Sequence, residues 1–320
     1  MTTHAAVVTT FDRPPRYQSF DVPQPSGREE VVDVLAAGLH PRVRSGAAGR
    51  HYTSSGTLPM VPGIDGVARR PDGRLAYFVA DDEKLGSMAG QTVIDPVRSV
   101  VLPDDVDIAQ VAATMNPAMS SWVALRRRVP LQEGQSVLVL GATGNAGTMA
   151  VRLAKRLGAG RVLGAGRDRT RLDALRECGA DGVVALTDDV DATSRALAEA
   201  AAEVDVVLDY LWAEPARLAM LAVLQARSDR SRELNWVQIG AVAGPDLALP
   251  SVALRSANLR LQGNGQGAVS AAGYLAELPS LIDEIAAGSV GFTLEQVPLA
   301  AVEQAWIRPD RPGVRTVFIP

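Results

Sequence analysis

The chain has a single cysteine, Cys178, in 320 residues. One thiol cannot close an internal disulfide and cannot build a cysteine-based structural zinc site. Histidine is nearly as scarce: only His4, His40 and His51 occur, and no two are spaced as a helix-borne metal pair would be. A resident catalytic metal is therefore not expected. Of the 32 cationic residues only Lys84 and Lys155 are lysine, and the net charge is −4. No segment carries a basic stripe, which excludes a dedicated nucleic-acid binder. No window approaches the roughly 20 apolar residues of a membrane span, and the opening MTTHAAVVTTFDRPP lacks the apolar core of a signal peptide. A soluble, cytoplasmic protein is expected, with no membrane or nucleic-acid partner.

What is present suits a globular enzyme. Hydrophobic residues make up 47% and charged residues 21%, and at about 150 residues per domain the length predicts two domains. Residues 1–118 show short alternating runs broken by Pro and Gly, such as AAVVTTF, EVVDVLAAGL, RLAYFV and QTVIDP. These read as strands of a β-rich domain. SVLVLGA (136–142) then opens a different texture, a continuous apolar run as in a strand buried on both faces. A helix follows at 146–160. Strand and helix alternate through 161–166, 169–179, 181–186, 194–203, 204–211, 214–227, 235–241 and 258–263. Such alternation predicts a doubly wound parallel sheet, hence an α/β fold. A helix at 274–288 and a β-like tail complete the chain.

GATGNAG follows the strand SVLVL and opens the next helix, placing Gly141, Gly144 and Gly147 around Thr143, Asn145 and Ala146. The first glycine allows a tight turn, the second lets a pyrophosphate approach the backbone, and the third lets helix and strand pack closely. Free N–H groups at the helix start then face the phosphates. The loop is a dinucleotide-binding candidate because of this strand–turn–helix context, since the spacing alone is common. A site for the 2′-OH form would place an acid at the end of the next strand. Here that position is Gly166, followed by Arg167 and, one helical turn on, Arg171. A guanidinium suits a 2′-phosphate, so NADPH is the expected cofactor.

With these motifs the chain resembles the zinc-independent, quinone-oxidoreductase-like branch of the medium-chain dehydrogenase/reductase superfamily, nearly end to end. LPMVPGIDGVA (58–68) resembles the family's Pro-Gly-x-Asp/Glu-x-x-Gly segment, with Ala68 where the last glycine is usual. GQTVIDPVRSVVLPDDVD (90–107), MNPAMSSWVAL (115–125), residues 131–159 and the terminal VPLAAVEQAW and PGVRTVFIP resemble successive family segments. The family's zinc enzymes carry a cysteine where this chain reads AAGLHPRVRSG (36–46), and a His-Glu pair where it has Ile64-Asp65. The branch commonly has Asn at the place of His40, and Tyr52 is the nearest match to its tyrosine ahead of Leu-Pro. The resemblance implies a Rossmann dinucleotide-binding domain at 119–264. It also implies a β-rich, GroES-like catalytic domain made of 1–118 and 265–320, in a homodimer.

The implied function is NADPH-dependent hydride transfer to a small molecule: a quinone, an enone or a related activated double bond or carbonyl. Ligands of such sheets lie beyond the carboxyl ends of the strands. That adds Tyr210, Gly240, Ala241 and Asn264 to the cofactor candidates, with Trp212 and Gly263 nearby. His40 and Tyr52 are the candidate hydrogen-bond or proton donors to the acceptor. An enoyl-thioester reductase, using Arg126, Arg127 and Arg128 for a carrier phosphate, is an alternative. So are a specialised biosynthetic reductase and an NADPH-binding sensor without turnover.

Overall fold

The computed structural model describes residues 1–80, 85–265, 267–311 and 313–320. Lys84, Gln266 and Pro312 of the segments above lie outside the described residues. The chain forms two compact units, Met1–Asn116 with Leu278–Pro320, and Pro117–Glu277. The first opens with β1 (Thr2–Val7), β2 (Arg16–Asp21), β3 (Glu30–Gly38), α1 (Pro41–Ala47), β4 (Asp65–Arg69), β5 (Leu75–Val79), β6 (Gln91–Ile94) and β7 (Ser99–Val101). Helix α2 (Ile108–Val123) carries the first division between units within it.

The second unit alternates strand and helix: β8 (Ser136–Leu140), α3 (Asn145–Arg156), β9 (Arg161–Gly166), α4 (Arg169–Ala174), β10 (Gly182–Ala185) and α5 (Val190–Ala201). It continues with β11 (Val206–Asp209), α6 (Ala213–Ala226), β12 (Leu234–Gln238), α7 (Ser251–Arg255), β13 (Leu259–Gly263) and α8 (Ala271–Ala286). The six strands lie in the order β10-β9-β8-β11-β12-β13, all parallel. The order reverses between β8 and β11, which is where such sheets take their ligands. Side chains alternate across the sheet: Val137 and Val139 pack with Val151 and Leu172 on one face, Leu138 and Leu140 with Leu197 and Met220 on the other. Two covered faces explain the unbroken apolar run of SVLVL.

The helix read at 169–179 stops at Ala174, and turns run on to Gly179 at φ 99°. The second division between units falls at Glu277/Leu278, inside α8, later than the expected 264/265. The first half of α8 is tied back to the parallel unit: Glu277 takes Arg126 and Arg127, and Tyr274 Oη donates to the Gly265 carbonyl at 3.2 Å.

The chain closes with β14 (Thr293–Pro298), α9 (Val302–Trp306) and β15 (Val314–Ile319). The AVEQAW stretch is thus helical rather than β-like, with Val302 and Ala305 turned inward at helical spacing. The first unit's main sheet runs β14-β15-β3-β4-β5-β7, with β6 on β3, and β1 pairs with β2 alone. Its core gathers Val7, Leu39, Val43, Leu85, Met88, Val302 and Phe318.

Candidate active site

At the carboxyl end of β8 the chain turns at Gly141, whose φ is 83°. The amides of Gly141 and Ala142 both donate to the Ala165 carbonyl at 2.9 Å, fixing the loop to the neighbouring strand. Gly144 is the N-cap of α3, no side chain caps it, and no acid lies in the first turn. That helix start keeps its positive end for an anion. The glycines differ in what holds them. A Cβ on Gly147 would sit 2.2 Å from the Gly141 carbonyl oxygen, so the helix–strand contact itself requires glycine. A Cβ on Gly144 would meet nothing closer than that same oxygen at 3.3 Å. Free space at a bare position suits a phosphate, so the loop fits a dinucleotide.

Gly166 ends β9 and is buried; a Cβ there would lie 2.7 Å from Thr143 Cγ2 and 2.8 Å from its Oγ1. The acid missing from the sequence therefore has no room in the structure either. Arg167 is exposed and Arg171 half-buried, and neither makes an ion pair among the described residues. Burial lowers the Arg171 pKa, with Asp168 opposing it. Asp168 is itself spent as the α4 cap, accepting the Arg171 amide at 3.1 Å.

Across the switch point, Leu140 pairs with Asp209 at the end of β11. Asp209 is fully buried and accepts the amides of Leu211 (2.8 Å) and Trp212 (3.0 Å) and the Trp236 indole N–H (3.0 Å). These bonds hold Trp212 and Ala213 at φ 58° and 50°, a conformation side chains rarely adopt. Burial raises the Asp209 pKa, partly offset by the three donors. Tyr210 is buried with its hydroxyl 3.1 Å from Ser120 Oγ, and burial pushes its pKa up to about 12. Asn264 Nδ2 donates to the Ser120 carbonyl at 2.8 Å, which assigns the amide's orientation. Its buried Oδ1 has no partner. The Gly240 amide donates to the Asp209 carbonyl at 3.1 Å, and Ala241 beside it is exposed. Ser120, on which Tyr210 and Asn264 converge, was not singled out from the sequence. The serine pair Ser120-Ser121 near the end of a mainly apolar helix is the signal that marks it.

The two candidate donors of the first unit have different surroundings. Tyr52 is 73% exposed, its ring 4.4 Å from that of His51. His40 is 2% exposed, with Nε2 3.3 Å from Asp65 Oδ1 and no partner at Nδ1. Tyr77 Oη donates to Asp65 Oδ2 at 2.8 Å. Arg315 on β15 is also buried, and its Nε and Nη2 have no partner. Burial brings its pKa down to about 10, with Asp65 opposing. Tyr77 and Arg315 carry no motif and were missed. His40 and Asp65, from the two segments where the sequence departs from the zinc enzymes, meet each other in the buried interior. Among the described residues no group of three His, Cys, Asp or Glu side chains is placed to hold a metal.

The sheet order, the glycine loop and the β-rich companion unit define an oxidoreductase of the medium-chain dehydrogenase/reductase superfamily. The sequence profile described as zinc-binding dehydrogenase matches residues 146–261. A protein of Emericella nidulans named as a probable NADPH-dependent quinone reductase is 30% identical over 99% of this chain and 100% of its own length. The NADPH-dependent alkenal/one oxidoreductase of Arabidopsis thaliana is 26% identical over 59% of the chain and 52% of its own. In fold, the chain is similar to a native mycobacterial quinone oxidoreductase (TM-score 0.82, 19% identity, 99% and 100% covered). It is equally similar to a quinone oxidoreductase of Pseudomonas syringae (TM-score 0.81, 21% identity, 100% of both chains). The chain belongs to the quinone-oxidoreductase-like branch of the medium-chain dehydrogenase/reductase family.

Proposed function

We propose that the protein is an NADPH-dependent reductase of quinones, enones or related activated double bonds and carbonyls, working without zinc. The observation that carries the zinc-free reading is the bonded His40–Asp65–Tyr77 core in place of a metal-ligand set. The names of the relatives support the cofactor and the acceptor class. NADPH supplies the hydride when bound. The amides of Asn145, Ala146 and Gly147 at the start of α3 hold its pyrophosphate, and Thr143 lines the same loop. Arg167 and Arg171, just past the end of β9, take the 2′-phosphate. Asn264 Oδ1, fixed by Ser120 beside Tyr210, accepts from the carboxamide, and Gly240 and Ala241 supply backbone at the end of β12. His40 meets the acceptor, and the exposed Tyr52 hydroxyl or solvent delivers the proton.

Arg126 and Arg127 are engaged by Glu277, and Arg128 donates to the carbonyls of Gly263 and Ala268. An enoyl-thioester reductase, which would use these arginines for a carrier phosphate, is the second reading. A cytoplasmic homodimer is part of the same reading. The open edge of β13, where Leu261 is exposed, supports the homodimer. Among the described residues no helix is long and apolar enough to cross a membrane.

Purified protein should oxidise NADPH only when a quinone, enone or aldehyde is added. NADPH binding with no turnover across such a panel would establish the sensor instead. Dialysis against a strong chelator should leave activity and folding unchanged; stoichiometric zinc, with activity restored only by zinc, would sink the metal-free reading. Tyr52→Phe should lower kcat by about 10-fold with an enone, and less with a quinone, whose oxygen solvent can protonate. NADPH affinity should not move. Wild-type rates with both acceptors would leave the proton to solvent.

A further inference from the structure

A cleft of about 510 Å³ opens in the first unit beside α1, a volume that suits a small molecule. Its apolar lining is Phe11, Val43, Met60, Val61, Pro62 and Ile64. Its polar lining comes from Arg42 on α1 and from the loop that follows, with His51, Thr53 and Ser54.

The polar part is held in place by its own bonds. Arg42 Nη2 donates to Thr53 Oγ1 at 3.1 Å, tying the loop back to the helix. The Thr53 amide donates to His51 Nδ1 at 3.3 Å, and Thr53 Oγ1 lies 2.8 Å from the same nitrogen. The Ser54 amide donates to the His51 carbonyl at 2.9 Å. Ser54 is thus fixed by its backbone, yet its shielded Oγ has no hydrogen-bond partner among the described residues. A shielded hydroxyl, able both to donate and to accept, is ordinarily paired. This one faces a cleft instead of a partner.

Gly46 is the second, independent observation. It lies within α1, where glycine is a poorer helix former than alanine, and it lines the same cleft. Its φ is outside the left-handed region, and a Cβ there would meet nothing within 4 Å. Neither the backbone nor packing requires a glycine at this point, in contrast to Gly147.

We propose that this cleft seats the ring of the hydride acceptor, with Gly46 left bare to admit it and Ser54 Oγ bonded to an oxygen substituent on it. The enzyme then selects apolar ring acceptors that carry a hydroxyl or carbonyl oxygen away from the reducible group. That the occupant is the acceptor rests on the reductase reading; the affinity of the cleft for an oxygenated ring does not.

The test uses the full chain saturated with NADP+, so that no hydride moves, and two probes of similar shape, 6-(hydroxymethyl)-1,4-naphthoquinone and 6-ethyl-1,4-naphthoquinone. Calorimetric titration of wild type should show saturable binding of both. Ser54→Ala should weaken the alcohol by about 5–10-fold, the worth of one neutral hydrogen bond, and leave the ethyl quinone within about twofold. Gly46→Leu should weaken both by about 30-fold or more, because its side chain occupies the room of the ring. Its thermal midpoint should stay within about 1 °C of wild type or rise, since the helix gains a better former. Equal effects on the two probes in Ser54→Ala overturn the proposal, as do wild-type affinities in Gly46→Leu or binding of neither probe to wild type. Ser54→Ala removes a single oxygen, so its two titrations decide the case should Gly46→Leu fail to fold. With NADPH in place of NADP+, wild type should reduce both quinones. Binding in the expected pattern without reduction overturns the reductase reading and leaves the cleft as a site for an oxygenated ring.

Discussion

Gly147→Ala is expected to weaken NADPH binding by about 100-fold or more and to lower the thermal midpoint by roughly 4–10 °C. The added methyl would lie 2.2 Å from the Gly141 oxygen, 2.7 Å from the Ala142 Cα and 2.8 Å from the Gly141 carbonyl carbon, all backbone. No rotamer relieves such a contact, so α3 must move away from β8. Movement costs packing at Val151 and Ala154, and it withdraws the helix start from the phosphates. Each charge-assisted bond lost there is worth about 1.5–3 kcal/mol, so one or two account for the affinity. Gly144→Ala separates the two effects. Its methyl has only the Gly141 oxygen at 3.3 Å, and its φ of −78° suits any residue. That variant should keep the wild-type midpoint to within about 1 °C while losing about 10-fold in affinity, because only the phosphate meets the methyl. Calorimetry and NADPH fluorescence titration on both variants decide the matter. Equal losses of midpoint would show that Gly144 serves packing rather than the cofactor.

The contrast between these glycines marks how far the sequence is legible. The loop could be read because its function is local: turn, cradle and helix start lie within seven consecutive residues. β8 was legible because a strand covered on both faces has nothing polar to hide it. β2 was not, because RYQSFD is exposed along nearly its whole length and shows no apolar alternation. Partnerships across the sheet were invisible as well. His40 and Asp65 are 25 residues apart, and only the pairing of β4 with β3 and β5 brings them together. Asn264 and Tyr210 were singled out as separate candidates, yet both close on Ser120 from distant parts of the chain. The absence of an acid at Gly166 was readable; its cause, the Thr143 side chain filling the same space, was not.

That cause changes how the cofactor preference can be inverted. Wild type should bind NADPH at least about tenfold tighter than NADH, since a guanidinium–phosphate bond of roughly 1.5–3 kcal/mol corresponds to about 10–150-fold. Added salt should narrow the gap, because Arg167 is exposed and Arg171 only half-buried. Arg167→Ala should erode it. Gly166→Asp alone should not produce an NADH enzyme. Its Cβ would collide with Thr143 Cγ2 and Oγ1, so the loop shifts and both cofactors bind more weakly. Thr143→Ala removes both colliding atoms and leaves only the Thr143 Cβ position at 3.2 Å, a contact that a few tenths of an ångström relieves. In the pair Thr143→Ala/Gly166→Asp the new carboxylate can accept the ribose 2′-OH and repel a 2′-phosphate. The pair should favour NADH by about tenfold, a swing of about 100-fold from wild type. Titrations of wild type, each single variant and the pair with both reduced cofactors test every step. An inversion already complete in Gly166→Asp alone would show that Thr143 yields freely. Equal affinities in wild type would reduce Arg167 and Arg171 to surface arginines.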